Sequence, residues 1–195
     1  MNSVYLLGST DCSIQDIKKI LNDGLLLEVE LELKLKLQQQ RIKLESILQE
    51  SDRAIYGINT GFGALCNTII PDDKLSDLQS NLVRSHACGF GAFVPIPTAR
   101  LVLLLKIICL CKGYSAVRWD LIDFLIQLFN HKFTPQIPEM GSLGASGDLA
   151  PLAHLSLPCI GEGILYFESK AYQSIELLSR HKISIPNLKA KEGLA

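Results

Sequence analysis

A chain of 195 residues with a formal net charge of −1 and a pI near 6.4 has no basic excess to hold nucleic acid or an anionic membrane surface. It is long enough for one domain with a substantial core, and its mean hydropathy of +0.23 predicts apolar surface covered by something outside these residues. The N-terminus lacks the pattern of an export signal, and the most apolar run, Leu101 to Cys111, is too short to span a bilayer and contains Lys106, so a soluble cytoplasmic protein is expected.

In chain order, Asp11 is placed to cap a helix to Asn22, with Ile14, Ile17, Ile20 and Leu21 on one face. Asn22-Asp23-Gly24 breaks it. From Glu28 to Leu37 charged and apolar residues alternate as in a strand, yet Leu, Glu and Lys favour helix and the run flows into helical Gln38 to Glu50. The expectation is a short strand near 25–30 and a helix from there to about residue 50. A Gly/Asn/Thr loop covers 56–63, and Pro71-Asp-Asp-Lys opens a helix to about His86. After a Gly/Pro loop, Thr98 is expected to cap a helix over 99–112 that is apolar on nearly every side, the pattern of a central buried helix. Another helix spans about 119–130. Pro135 and Pro138 lead into a Gly/Ser loop, and a helix follows from Leu149 to Ile160, with Pro151 tolerated in its first turn. Without repeats or linkers, a single domain over residues 1–195 is predicted, mainly α with a small β element near the N-terminus.

Six cysteines at 12, 66, 88, 109, 111 and 159 include no Cys-x-x-Cys pair, and the histidines at 86, 131, 154 and 181 form no cluster, which predicts reduced thiols and no metal site. More informative is the stretch 141–154, Gly-Ser-Leu-Gly-Ala-Ser-Gly-Asp-Leu-Ala-Pro-Leu-Ala-His. Ala145-Ser146-Gly147 is a tripeptide that can cyclise into an electrophilic ring. By itself it reads as well as a turn in which Ser146 or Asp148 caps the following helix. A hydrolase nucleophile at Ser146 with His154 and Asp148 lacks the Gly-x-Ser-x-Gly elbow, and a phosphate loop lacks the Lys-Ser/Thr after its glycines.

Two further segments decide between these readings. They are Tyr56-Gly-Ile-Asn-Thr-Gly-Phe-Gly63 and Asn81-Leu-Val-Arg-Ser-His-Ala-Cys-Gly89. With the loop at 141–154 they resemble, in order and separation, the histidine ammonia-lyase family, whose members carry a methylidene-imidazolone (MIO) group. The resemblance runs from about residue 52 to 195, and residues 1–51 agree only in general plan. It implies the N-terminal part of the ammonia-lyase helical fold, with MIO formed from Ala145, Ser146 and Gly147 and no external cofactor. In that chemistry the Gly147 nitrogen attacks the Ala145 carbonyl carbon, two waters leave, and Ser146 provides the methylidene carbon. Small residues at 145 and 147 keep the attack open.

The resemblance further implies Tyr56 as the base and His86 as the contact to the substrate side chain, with Asn59 and Gly61 shaping the pocket. A phenol acts as a base only when ionised, which needs positive surroundings such as a helix N-terminus. The start of the helix near Leu149 is expected to favour negative charge on the ring. His154 reads as structural. The implied reaction is elimination of ammonia from L-histidine to give urocanate in a homotetramer. Tyrosine or phenylalanine elimination, or an aminomutase, are the alternatives. Family members run to more than twice this length, and the ending Ala190-Lys-Glu-Gly-Leu-Ala195 has no polar tail. The expectation is therefore an N-terminal piece, inactive by itself, or a remnant without catalysis.

Overall fold

The computed structural model describes residues 3–8, 11–50, 54–63, 66–142, 144–145 and 147–194; Ser146 lies outside the described residues. Strands β1 (Val4–Leu7) and β2 (Leu26–Val29) pair in parallel, with Val4 opposite Leu26. Parallel neighbours need a crossover, and α1 (Ile14–Asn22) supplies it. Its cap is Ser13, not Asp11. Ser13 Oγ accepts the Asp16 N–H at 3.2 Å, and the Asp16 carboxylate accepts the Ser13 N–H at 2.9 Å, which closes a reciprocal box. Asp11 instead pairs with Lys112 across the fold. Ser13→Ala is expected to cost about 1 kcal/mol, read as a drop of about 2–4 °C in Tm.

Helix α2 (Leu31–Gln49) follows β2 almost directly. Leu33, Leu37, Arg41 and Leu44 are buried at helical spacing, whereas Leu31 and Leu35 face solvent. The alternating run is thus divided: strand to Val29, then a helix with leucines on two faces.

Helices α4 (Ile96–Cys111) and α5 (Trp119–Asn130) pack together as the core, and α5 also lies against β2. Leu103, Leu104, Ile107, Leu121, Phe124 and Leu125 are fully buried, each worth roughly 1.5–3 kcal/mol over an exposed position. Helix α4 begins at Ile96, three residues earlier than expected. Its N-cap is Pro95 rather than Thr98, and Pro97 falls in the first turn, where no N–H is needed. The Asn130 side chain accepts the Leu27 N–H at 2.8 Å and donates to the Leu27 carbonyl at 3.0 Å, so β2 is bonded to the end of α5.

The helix expected from Pro71 opens as a 3-10 turn at Asp72–Lys74 and becomes α3 at Leu75–His86. The helix expected to reach Ile160 is α6 only over Ala150–Ser156, and Leu157–Ile160 is 3-10. Pro158 explains the change, because its nitrogen cannot continue the α ladder.

The remaining strands are β3 (Phe90–Phe93) paired antiparallel with β5 (Pro138–Met140), and a sheet ordered β4-β6-β7 from Thr134–Pro135, Ile164–Phe167 and Lys170–Gln173. Each has two to four residues, too few for periodicity to announce them. After α7 (Ser174–Arg180), residues 187–194 run irregularly along the helices, bonded to them through Glu192, Gly193 and the Leu194 carbonyl. Among the described residues no helix is long and apolar enough to cross a membrane, and no His/Cys/Asp/Glu group could hold a metal ion.

Candidate active site

Two links bring the second and third sequence motifs together. Helix α3, which carries Asn81 and His86, packs on α6, the helix that follows the cyclisable loop. Just beyond α3, β3 pairs with β5, with Phe90 opposite Met140 and Phe93 opposite Pro138. Residues 86–93, 138–142 and 147–150 therefore enter and leave one corner of the fold together. Between the two links, the Gly89 N–H donates to His154 Nε2 at 2.9 Å.

The loop at that corner is stapled by Asp148. Its Oδ1 accepts the Ser142 N–H at 2.7 Å and the Ala150 N–H at 3.1 Å, so one carboxylate both closes the loop and caps the helix start. The carboxylate thereby occupies a backbone donor at the start of α6. At seven residues α6 is under two turns long, so little helix dipole is left for the loop. Inside the staple, the Gly147 N–H donates to the Gly144 carbonyl at 3.1 Å, forming a tight turn around Ala145. Gly147 has φ +95°, a conformation that disfavours any side chain, and among the described residues beyond its chain neighbours nothing lies within 4 Å of where its Cβ would be. A short turn, methyl and hydrogen side chains at 145 and 147, and open space at 147 suit attack of the Gly147 nitrogen on the Ala145 carbonyl. The residues present fit formation of MIO.

His86 ends α3 half-buried. Its Nδ1 lies 2.8 Å from the Leu82 carbonyl and 3.1 Å from Ser85 Oγ. A carbonyl only accepts, so Nδ1 is the donor in this contact, and a ring with its single proton there has Nε2 as an acceptor. One turn earlier, Asn81 Oδ1 accepts from Arg84 Nη1 at 3.0 Å, and Arg84 pairs with Glu162 at 2.7 Å.

The first motif sits elsewhere on α3. Ile58 is buried with Leu44 and with Leu75, at the opposite end of that helix from His86. Tyr56 is 63% exposed, and its ring meets Phe62 edge-on at 5.8 Å. Among the described residues it has no hydrogen bond or ring contact to His86 or the 141–149 loop. Asn59 is buried, its side-chain oxygen accepting the Ile55 N–H at 2.6 Å, and its carbonyl accepts the Ile70 N–H at 2.9 Å. Gly61, also buried, donates its N–H to the Thr68 carbonyl at 3.2 Å. Both residues build the loop that presents Tyr56.

Residues 12–195 match the family model for aromatic amino acid lyases. The chain belongs to that family. A histidine ammonia-lyase of Legionella pneumophila subsp. pneumophila is 46% identical over the whole chain, and the chain spans 38% of that relative's length. Among solved structures, the Pantoea agglomerans phenylalanine aminomutase superposes with a TM-score of 0.90 at 32% identity, over 97% of this chain and 36% of that one. The Trypanosoma cruzi histidine ammonia-lyase gives 0.83 at 33% identity, over 97% and 37%.

In this lyase-family chain, sequence reasoning missed the contact of His154 with Gly89. The two residues are 65 positions apart, and neither stands in a pattern that names its partner.

Proposed function

We propose that the chain supplies the electrophile-forming loop and part of the substrate pocket of a histidine ammonia-lyase, which eliminates ammonia from L-histidine to give urocanate. The observation that carries this reading is the 2.8 Å contact of His86 Nδ1 with the Leu82 carbonyl, on a helix packed against α6. With Nδ1 committed to the Leu82 carbonyl, Nε2 is left to accept a hydrogen bond, which matches the N–H of another imidazole.

MIO built from Ala145, Ser146 and Gly147 would supply an electrophilic carbon that makes the substrate amine a better leaving group. The chain's own residues do the rest. Asp148 holds the loop closed, His86 orients the substrate side chain, and Tyr56, presented by the loop that Asn59 and Gly61 build, takes the β-proton. The substrate is a small amino acid. The working unit is a homotetramer, whose other residues cover Tyr56 and the exposed Phe90 and Met140. Free thiols at all six cysteines favour a reducing, cytoplasmic setting.

The 195-residue chain by itself is expected to form no urocanate above background. A chimera joining it to the remainder of the Legionella pneumophila relative is expected to turn over L-histidine ahead of L-phenylalanine and L-tyrosine. In that chimera, His86→Leu should lower kcat/KM for histidine about 10–100-fold through the lost hydrogen bond. A chimera that prefers phenylalanine or tyrosine, or that is indifferent to the substitution, would overturn the assignment. The superposition on an aminomutase supports a second reading, in which a β-amino acid accumulates in place of urocanate.

A further inference from the structure

We propose that His154 is a positioning residue: by accepting the Gly89 N–H it sets the spacing between the helix end that carries His86 and the loop that holds Ala145 and Gly147. This rests on reading those two elements as one site.

Three observations carry it. The bond is well formed, at 2.9 Å, and bridges α6 to the turn three residues beyond His86. The approach is close on both sides, because a Cβ at Gly89 would lie 2.9 Å from His154 Nε2 and 3.1 Å from Pro138 Cβ. Only glycine lets the turn sit against both the histidine and the first residue of β5, which leads into the loop. Lastly, an N–H can bond only to a bare ring nitrogen, so the contact exists only while His154 is neutral with its proton on Nδ1.

The surroundings keep it neutral. Burial holds the imidazole below its ordinary value of 6.5. The titratable groups on the elements packed against α6 are Asp77, Arg84 and His86 on α3, Glu139 on β5 and Cys159 in the 3-10 turn, with Asp148 and Glu162 flanking. Arg84 is paired with Glu162, and Asp148 is bonded to loop N–H groups. The sign follows from this: a base whose folded value is lowered binds protons more readily once released. The contact is therefore complete above about pH 6.5 and is lost as pH falls from there through the folded value.

Hydrogen exchange on the 195-residue chain tests this, read as protection factors at Gly89, at Gly147 and across α4 and α5. His154→Leu is expected to cut protection at Gly89 about ten-fold and to loosen Gly147, leaving α4 and α5 unchanged. His154→Gln places an acceptor where Nε2 was, and should restore protection while removing its dependence on pH. In the parent chain, Gly89 protection should fall below about pH 6.5. Unchanged Gly89 protection in the leucine variant would overturn the proposal. So would an even loss across α4 and α5, or a glutamine variant that folds without restoring the bond. If the leucine variant fails to fold, the pH series on the parent chain decides. Intact mass, measured in parallel, reports ring closure as the loss of two waters. A parent chain that never closes the ring, even in the chimera, would refute the proposed function and leave the Gly89 result standing.

Discussion

Replacing Glu192 with alanine is expected to cost about 3–5 kcal/mol, read by urea or thermal denaturation of the 195-residue chain. Glu192 is fully buried. Its Oε1 accepts the Arg118 backbone N–H at 2.8 Å, and Oε2 accepts the Lys189 N–H and Arg118 Nη2, each at 2.8 Å. Arg41 Nη1 stands 3.5 Å away and also donates to the Ala190 carbonyl at 3.0 Å. Partial burial disfavours the Arg118 guanidinium, yet Glu192 overcomes this and raises its pKa. Without the carboxylate, the Arg118 and Lys189 backbone N–H groups lose their acceptor, Arg118 keeps only Asp120 as a carboxylate partner, and Arg41 keeps only Glu45. Leaving charges buried and unmatched is more damaging than replacing a whole pair with apolar groups. Glu192→Gln keeps one acceptor oxygen and should cost less than alanine. A loss below about 1 kcal/mol in the alanine variant would mean that water reaches the arginines freely. The same variant should detach residues 187–194, which are otherwise held by Gln79 accepting the Gly193 N–H at 2.8 Å and Lys106 donating to the Leu194 carbonyl at 2.8 Å.

Ser146→Ala is expected to abolish ring formation, because the substituted tripeptide has no hydroxyl to lose and no route to the methylidene carbon. In the chimera the parent protein should weigh two waters less than its sequence, and the alanine variant only one water less or none. Turnover of L-histidine should fall by about 10³-fold or more, beyond the 10²–10³ that losing one positioned donor costs. A variant with the parent's mass deficit, or with activity within about ten-fold of the parent, would remove Ser146 from the chemistry. The Gly147 N–H bond to the Gly144 carbonyl and the Asp148 staple both act on this loop. Their part is to hold nucleophile and carbonyl in one turn, which lowers the entropy lost on closing.

Much was legible in the residues alone. The helices at 14–22, 31–49, 75–86, 96–111 and 119–130 follow from apolar periodicity and from Gly and Pro punctuation, and the ordered trio of motifs pointed to the family that residues 12–195 match. Errors fell where neighbouring signals compete. Asp11 and Ser13 both make plausible caps, and only the return bond from Asp16 selects Ser13. Thr98 looked like a cap because two prolines before it suggested a loop, yet a proline in a first helical turn costs nothing.

By itself, then, the sequence determined the helical elements, the tripeptide able to cyclise, and the small residues that leave its closure unhindered. All of these depend on interactions within a few positions along the chain. The tertiary structure alone decided that α3 and the helix after the loop pack together, that the Gly89 N–H meets His154, and that Glu192 joins Arg41 and Arg118 to the end of the described chain. The Gly89–His154 bond spans 65 positions and the Arg41–Glu192 pair joins residues 41 and 192, and such a contact carries no mark of its partner until packing of apolar helix faces brings the two together.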